Sequence, residues 1–156
     1  MPTFQSFEEI EAWQEGRKLV RAIRSICKRE NVKRDFSFVN QITRSVRSVP
    51  ANIAEGFEMM TTPGFILFLG HAKGSAGEVR SHLYDALDEG YVTKEEFERL
   101  CDLTKKICSM LAKLIHYLQS TDQKEKRTMK NHITKNEKRT NEQRVTSSFI
   151  PATRYG

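Results

Sequence analysis

The chain has little of what most enzymes and secreted domains are built from. It carries three cysteines, four prolines and a single tryptophan in 156 residues. Cys27, Cys101 and Cys108 form no metal-ligand pair, and their odd number argues against a disulfide framework. They fit reduced thiols. The longest apolar run, residues 65–69, falls far short of the ~20 residues that a membrane span needs. The opening segment MPTFQSFEEIEAWQ is acidic and lacks the apolar region of a signal peptide, so a cytoplasmic location without membrane contact is expected.

Catalytic constellations are missing too. Gly70-x-x-x-Gly74 with Lys73 lies inside a helical pattern and cannot cradle a phosphate as a loop would. A carboxylate-bridged di-iron site needs Glu-x-x-His on two helices. Here Glu78 and His82 stand four apart on an off-core face, no second such pair exists, and His116 and His132 are isolated. Cys101 and Cys108 share a helix face but have no activating histidine or lysine neighbour, as inert packed thiols would. No catalytic residue, cofactor or metal ligand is assigned, and a non-enzyme is expected. A ferritin-like oxidase survives only as a remote alternative that metal analysis would dispose of.

What the chain does have is an uneven distribution of charge. Residues 1–121 hold seventeen Lys/Arg against sixteen Asp/Glu, whereas residues 122–156 hold nine against four. Nearly all of the net +6 therefore lies in the last segment, which has almost no apolar residues before Phe149 and Ile150. A near-neutral module with a basic tail suits a polyanionic partner. Residues 1–121 suffice for one domain with a real core. The tail cannot offset the cost of ordering its backbone by burial, and is expected to be disordered.

The apolar spacing is helical throughout, and no stretch alternates as a strand would. Ser6 and Glu9 form a capping box, placing a first helix from near Phe7 to Asn31, with Gly16, Leu19, Val20, Ile23, Ile26 and Cys27 on one face. A second helix starts near Asp35, with Val39, Ile42, Val46, Val49, Ile53 and Phe57 inward and a kink at Pro50. Thr62-Pro63 reads as a cap followed by an N1 proline for a third helix, which Gly90 ends. Thr93 and Glu96 cap a fourth, expected to run from Leu100 through Leu118 and stop near Ser120. Short connections force antiparallel neighbours, so the fold class is all-α, an up-down-up-down four-helix bundle.

The polar faces bear on function. On the second helix Gln41, Arg44, Ser48, Asn52 and Glu55 form a stripe roughly 140° from the core face. On the third, His71, Gly74, Ser75, Glu78 and His82 do the same. A solvated surface is the plain alternative, but such faces favour Lys and Glu over short amides, hydroxyls and glycines. The set suits contact with a polar partner at fixed distances. Gly70, Gly74 and Gly77 each weaken the helix by roughly 1 kcal/mol relative to alanine, which points to close approach of another backbone. On the first helix Arg17, Arg21, Arg24 and Lys28 fall on one line, flanking the core face. They either pair with Glu8, Glu9, Glu11 and Glu15 or form a track for phosphates. Lys124, Lys126, Arg127, Lys130, Lys138 and Arg139 of the tail would add flexible contacts of the same kind, and the lack of aromatics there argues against base stacking.

The segment Gln41-Ile42-Thr43-Arg44 followed by Ser48-Val49-Pro50-Ala51-Asn52-Ile53-Ala54-Glu55-Gly56-Phe57 resembles the four helix bundle protein family, also called the ribosomal RNA intervening-sequence protein family. Phe7-Glu8-Glu9-Ile10-Glu11-Ala12-Trp13 resembles its opening motif. Phe65, Phe68-Leu69, Ala72-Lys73-Gly74-Ser75, Glu78 and Gly90-Tyr91-Val92 continue the match over about residues 4–120. The departures are mild: Val39 and Val49 stand where the pattern tends to have Leu and Ile, and Thr61-Thr62-Pro63 replaces a basic-polar linker. The resemblance implies a non-enzymatic bundle that assembles as a homopentamer. Through the related accessory variability proteins of diversity-generating retroelements, it also implies nucleic acid and a reverse transcriptase as partners.

Two readings follow. In the first the protein is a homo-oligomeric scaffold for RNA or DNA, with Arg17, Arg21, Arg24, Lys28 and the tail cations on phosphate. Gln41, Arg44, Ser48, Asn52, Glu55, Gly74, Ser75 and Glu78 then build subunit contacts. In the second it is a structural or protein-interaction oligomer without nucleic-acid binding.

Overall fold

Burial of Ile10 sets how the chain starts. The computed structural model describes residues 4–148, and in it Phe7–Glu9 form one 3-10 turn before the first α-helix, α1 (Glu11–Cys27). Ile10 leaves the helical conformation at φ −73°, ψ 115° and is 2% exposed. The expected capping box is thereby corrected. Ser6 makes no side-chain cap, and the Glu9 carboxylate accepts from the Gln5 backbone N–H at 3.0 Å instead. The ring of Phe7 meets Trp13 edge-on at 5.2 Å.

The second helix, α2 (Phe36–Glu58), starts where expected. Asp35 caps it, accepting from the Phe38 N–H at 3.0 Å and from the Tyr91 hydroxyl at 2.8 Å. These two donors hold the Asp35 carboxyl below its ordinary range, the backbone N–H of Phe38 contributing most. The helix runs unbroken through Pro50. Gly16 of α1 faces that point: a Cβ there would lie 3.3 Å from Val49 Cγ1 and 3.6 Å from Pro50 Cδ.

In α3 (Thr62–Asp88) the cap lies one residue earlier than the sequence suggests. Thr61, not Thr62, accepts from the Gly64 N–H, at 3.3 Å, and Pro63 takes the second helical position, where no N–H is needed. The helix ends as expected at Gly90, whose φ of 71° suits the left-handed C′ position, with the Tyr91 N–H closing onto the Ala86 carbonyl at 2.8 Å.

The last helix, α4 (Lys94–Ser147), does not stop near Ser120. Its packing does. The chain divides into two compact units at Leu118–Gln119, and no described residue beyond Leu118 is buried. The tail thus lacks a core, as its composition indicates, yet residues 122–147 are helical where disorder is expected. Phe149 and Ile150 lie outside the described residues.

Within the first unit the helices form the antiparallel up-down-up-down bundle, with α1 on α2 and α2 on α3, while the first part of α4 meets α1 at Lys106–Glu15 and α3 at the Tyr84–Phe97 ring pair. Leu19, Ile23, Val46, Val49, Ile53, Leu69, Val79, Leu83, Ile107 and Leu111 are fully buried. Each such side chain contributes roughly 1.5–3 kcal/mol relative to remaining in water. The second helix comes close to the third at Gly56, where a Cβ would lie 2.7 Å from Phe68 Cβ.

One ion pair ties the two ends of the bundle chain together. Arg29, just past α1, donates through both terminal nitrogens to the Glu96 carboxylate, one bond at 3.1 Å, and also to the Tyr91 carbonyl at 3.0 Å. Glu96 also closes the expected capping box, accepting from the Thr93 N–H at 2.9 Å while Thr93 Oγ1 accepts from the Glu96 N–H at 3.2 Å. The Arg29 guanidinium first, and the Thr93 N–H second, lower the Glu96 pKa from 4.5 to about 2. A depressed carboxyl stabilises the fold above its unfolded pKa and loses that contribution as pH falls toward the folded value. Half-exposure of Arg29 screens the pair, leaving about 1–2 kcal/mol. Chemical unfolding of Glu96→Gln is therefore expected to show that deficit at pH 7 and almost none at pH 2. An equal deficit at both values would contradict it.

Candidate nucleic-acid interface

Arg17, Arg21 and Arg24 of α1 and Lys28, its C-cap, point outward together. At about 100° per residue they fall within roughly 60° of one another and roughly 160° from the core direction of Leu19, Ile23 and Ile26. They lie opposite the core, not flanking it as expected, and all four are exposed. The acidic residues expected to neutralise them are engaged elsewhere or out of reach. Glu15 is 7% exposed and pairs with Lys18 at 2.7 Å and Lys106 of α4 at 3.6 Å, which holds its carboxyl below the ordinary range, the Lys18 hydrogen bond foremost. Glu9 serves the Gln5 N–H. No described carboxylate lies within ion-pair distance of Arg17, Arg21, Arg24 or Lys28. Arg17 alone has an intramolecular partner, its guanidinium carbon lying 5.9 Å from the centre of the Trp13 ring.

The polar stripes of α2 and α3 divide into two groups. Ser48, Asn52 and Ser75 are half-buried and bond to one another across the α2–α3 seam. The two serine hydroxyls are 2.8 Å apart, and Asn52 Nδ2 donates to both the carbonyl and the hydroxyl of Ser48 at 2.8 Å. The Ser48–Ser75 bond links α2 to α3, and the Asn52 bonds lie within α2. Gln41, Arg44, Glu55, Gly74 and Glu78 are exposed. Arg44 and Glu55 make no ion pair with another described residue, and Gln41 reaches only Ser37, at 3.3 Å. Glu78 stands 3.6 Å from His82 Nε2, and Asp85 stands 3.5 Å from His82 Nδ1.

The glycines sort in the same way. Gly70, Gly74 and Gly77 have open space where a Cβ would be, in contrast to Gly16 and Gly56. Nothing within the protomer requires them. The thiols are chemically quiet: burial pushes Cys27, Cys101 and Cys108 above their ordinary pKa. Among the described residues no cluster of three or more His, Cys, Asp or Glu is arranged to hold a metal ion, and no helix is long and apolar enough to cross a membrane.

In the tail, Lys124, Lys126, Arg127, Lys130, Lys138 and Arg139 are all exposed, as are Lys135 and Arg144. Among the described tail residues one ion pair forms, Lys126 to Asp122 at 2.6 Å. A repeat is visible here that residue composition hides. Residues 123–128, 129–134, 135–140 and 141–146 each end in threonine. Each of these hydroxyls donates to the carbonyl four residues earlier: Thr128 to Lys124 at 3.0 Å, Thr134 to Lys130 at 2.9 Å, Thr140 to Asn136 at 2.9 Å and Thr146 to Glu142 at 3.0 Å. The threonines are satisfied by their own helix, so the groups left to face a partner are mainly cations and amides, with Glu125, Glu137 and Glu142 among them.

Comparison with known proteins places the bundle in a family. A sequence profile described as 23S rRNA-intervening sequence protein matches residues 8–113. The chain belongs to this family. A solved structure is similar over 67% of this chain and 95% of its own length, at 25% identity and a TM-score of 0.62. It is a protein with unknown function from the S23 ribosomal protein family of Bacteroides thetaiotaomicron VPI-5482. Comparison with curated proteins gives no match. The intervening-sequence protein match covers the α1 cations and both polar stripes but ends before the tail.

Proposed function

We propose that this intervening-sequence protein is a non-enzymatic, homo-oligomeric scaffold that binds nucleic acid, RNA in the first instance, through the phosphate backbone. The observation that carries the reading is the outward line of Arg17, Arg21, Arg24 and Lys28, which has no carboxylate partner among the described residues. Like charges at i, i+4 weaken a helix, so a fold with no use for them would gain by losing them. Repetition of the line around a closed assembly multiplies its field. The exposed members of the α2 and α3 stripes, with the glycines whose Cβ positions are open, supply the surface for sister copies. Five copies and a reverse transcriptase as protein partner belong to this proposal through the family resemblance.

The test is retardation of RNA by the full-length protein over a series of salt concentrations. Affinity falls steeply with ionic strength, with a slope of about 0.7–0.9 per phosphate contact on a log–log scale. Failure to retard RNA or DNA at low salt removes the reading and leaves an oligomer that does not bind nucleic acid.

A further inference from the structure

We propose that residues 122–147 are a conditional helix that is consolidated by the phosphates of a double-stranded nucleic acid. The inference rests on the nucleic-acid reading above and deepens it by naming the form of the ligand.

The tail helix has weak internal support. Every described residue from Gln123 onward is exposed, so no burial holds it. Its threonines, asparagines, His132, Ile133 and Val145 are mediocre helix formers. Like charges meet at i, i+4 (Lys126–Lys130, Lys135–Arg139) and at i, i+3 (Lys124–Arg127, Arg127–Lys130, Lys135–Lys138), which the opposite pairs Asp122–Lys126, Lys138–Glu142 and Arg139–Glu142 offset only in part. Unsupported helices of this length are marginal in water. Removing the repulsion is what would favour the helix, and phosphates do that.

The cations are also arranged for one kind of polyanion. At about 100° per residue the eight from Lys124 to Arg144 spread over an arc of roughly 220°. The remaining sector holds no cation and includes Glu125, Met129, His132, Ile133, Asn136 and Thr140. An arc wider than half the circumference reaches both walls of a groove at once while the sector without Lys or Arg faces out. Twenty-six helical residues make a rod of roughly 39 Å, suited to a stiff duplex. A single strand would need aromatic platforms, and residues 118–148 contain none. A membrane surface would need a broad apolar face, and this sector offers only Met129 and Ile133.

Hydrogen exchange on the full-length protein tests this, free and with a duplex RNA of about 25 base pairs, the matching duplex DNA, a single strand, or phosphatidylserine vesicles. Backbone amides of 123–147 are expected to gain at least about tenfold protection with a duplex, the two duplex arms showing which backbone is preferred. Neutralising Lys124→Gln, Arg127→Gln, Lys135→Gln and Lys138→Gln together is expected to abolish the gain and lower the salt slope by about three to four. Met129→Ala with Asn136→Ala is expected to change neither. The proposal is overturned if the duplex binds without new tail protection, if the free tail is already fully protected, or if a single strand or vesicles protect equally. Binding to the bundle without tail protection sinks this inference alone; absence of any binding sinks the scaffold reading as well.

Discussion

Replacing Arg17, Arg21, Arg24 and Lys28 together with glutamine is expected to weaken nucleic-acid binding by roughly two to three orders of magnitude at about 0.1 M salt, while leaving the bundle folded. Four fewer phosphate contacts lower the salt slope by up to about 3.6 on duplex and somewhat less on a single strand. The same substitutions relieve the like-charge pairs Arg17–Arg21 and Arg24–Lys28, worth a few tenths of a kcal/mol each. Loss of the Arg17–Trp13 contact, about 0.5–1 kcal/mol at an exposed site, offsets that gain. Net stability should therefore stay within about 1 kcal/mol of the parent in urea unfolding. The two readouts together separate function from fold, because a structural role would move stability and spare affinity. Affinity within about threefold of the parent would remove the α1 line from the interface and leave the tail as the sole contact.

The bundle was legible because its signal is periodic. Apolar residues recurring at three and four from Leu19 to Leu118 specify four buried stripes, and most of those residues form the core, with Val20, Val39, Phe57, Leu103 and Leu114 packed partly buried against it. Helix starts were less secure by one residue or one turn. At Thr61 and Ile10 the choice of cap depends on which neighbouring side chain is buried, and a linear pattern does not encode that. The continuation of α4 was missed for a related reason. Loss of the apolar stripe after Leu118 looks like the end of a helix, yet no glycine or proline stands between Gly90 and Pro151 to stop one. Absence of packing and absence of helix are different things. Partners distant in sequence were also hidden. Glu15 looks solvated until Lys106 closes over it, and Glu96 looks like a local cap until Arg29 arrives from the far side of the chain. The polar stripes were legible as stripes. Which members bond within the protomer was not, because the Ser48–Ser75 contact joins residues of two helices whose facing register the linear pattern does not give, just as it does not give the close approach at Gly56.

That closeness supplies the contrast for the second large effect, the replacement of Gly70, Gly74 and Gly77 by alanine. Each substitution restores roughly 0.8–1 kcal/mol of helix propensity, and beyond the helix's own local backbone no described atom lies within 4 Å of any of the three Cβ positions. The isolated protomer should therefore gain about 2–3 kcal/mol, read as a higher denaturant midpoint at low protein concentration. Gly56→Ala has the opposite sign. Its Cβ would meet Phe68 Cβ at 2.7 Å and Phe65 Cδ2 at 3.2 Å, so α2 and α3 must separate, at about 1–3 kcal/mol before the propensity gain. Natural chains rarely retain three helix-weakening residues on one exposed face without a use for them, and contact with a sister backbone is such a use. Three added methyl groups on that face then push copies apart, and the mass in light scattering falls toward that of one chain even as each chain becomes more stable. Glu78→Ala and Arg44→Ala, which leave the backbone approach intact, should shift the mass in the same direction by less. A stabilised triple variant of unchanged mass would show that α3 turns this face to water, and the sister-copy contact would have to lie elsewhere.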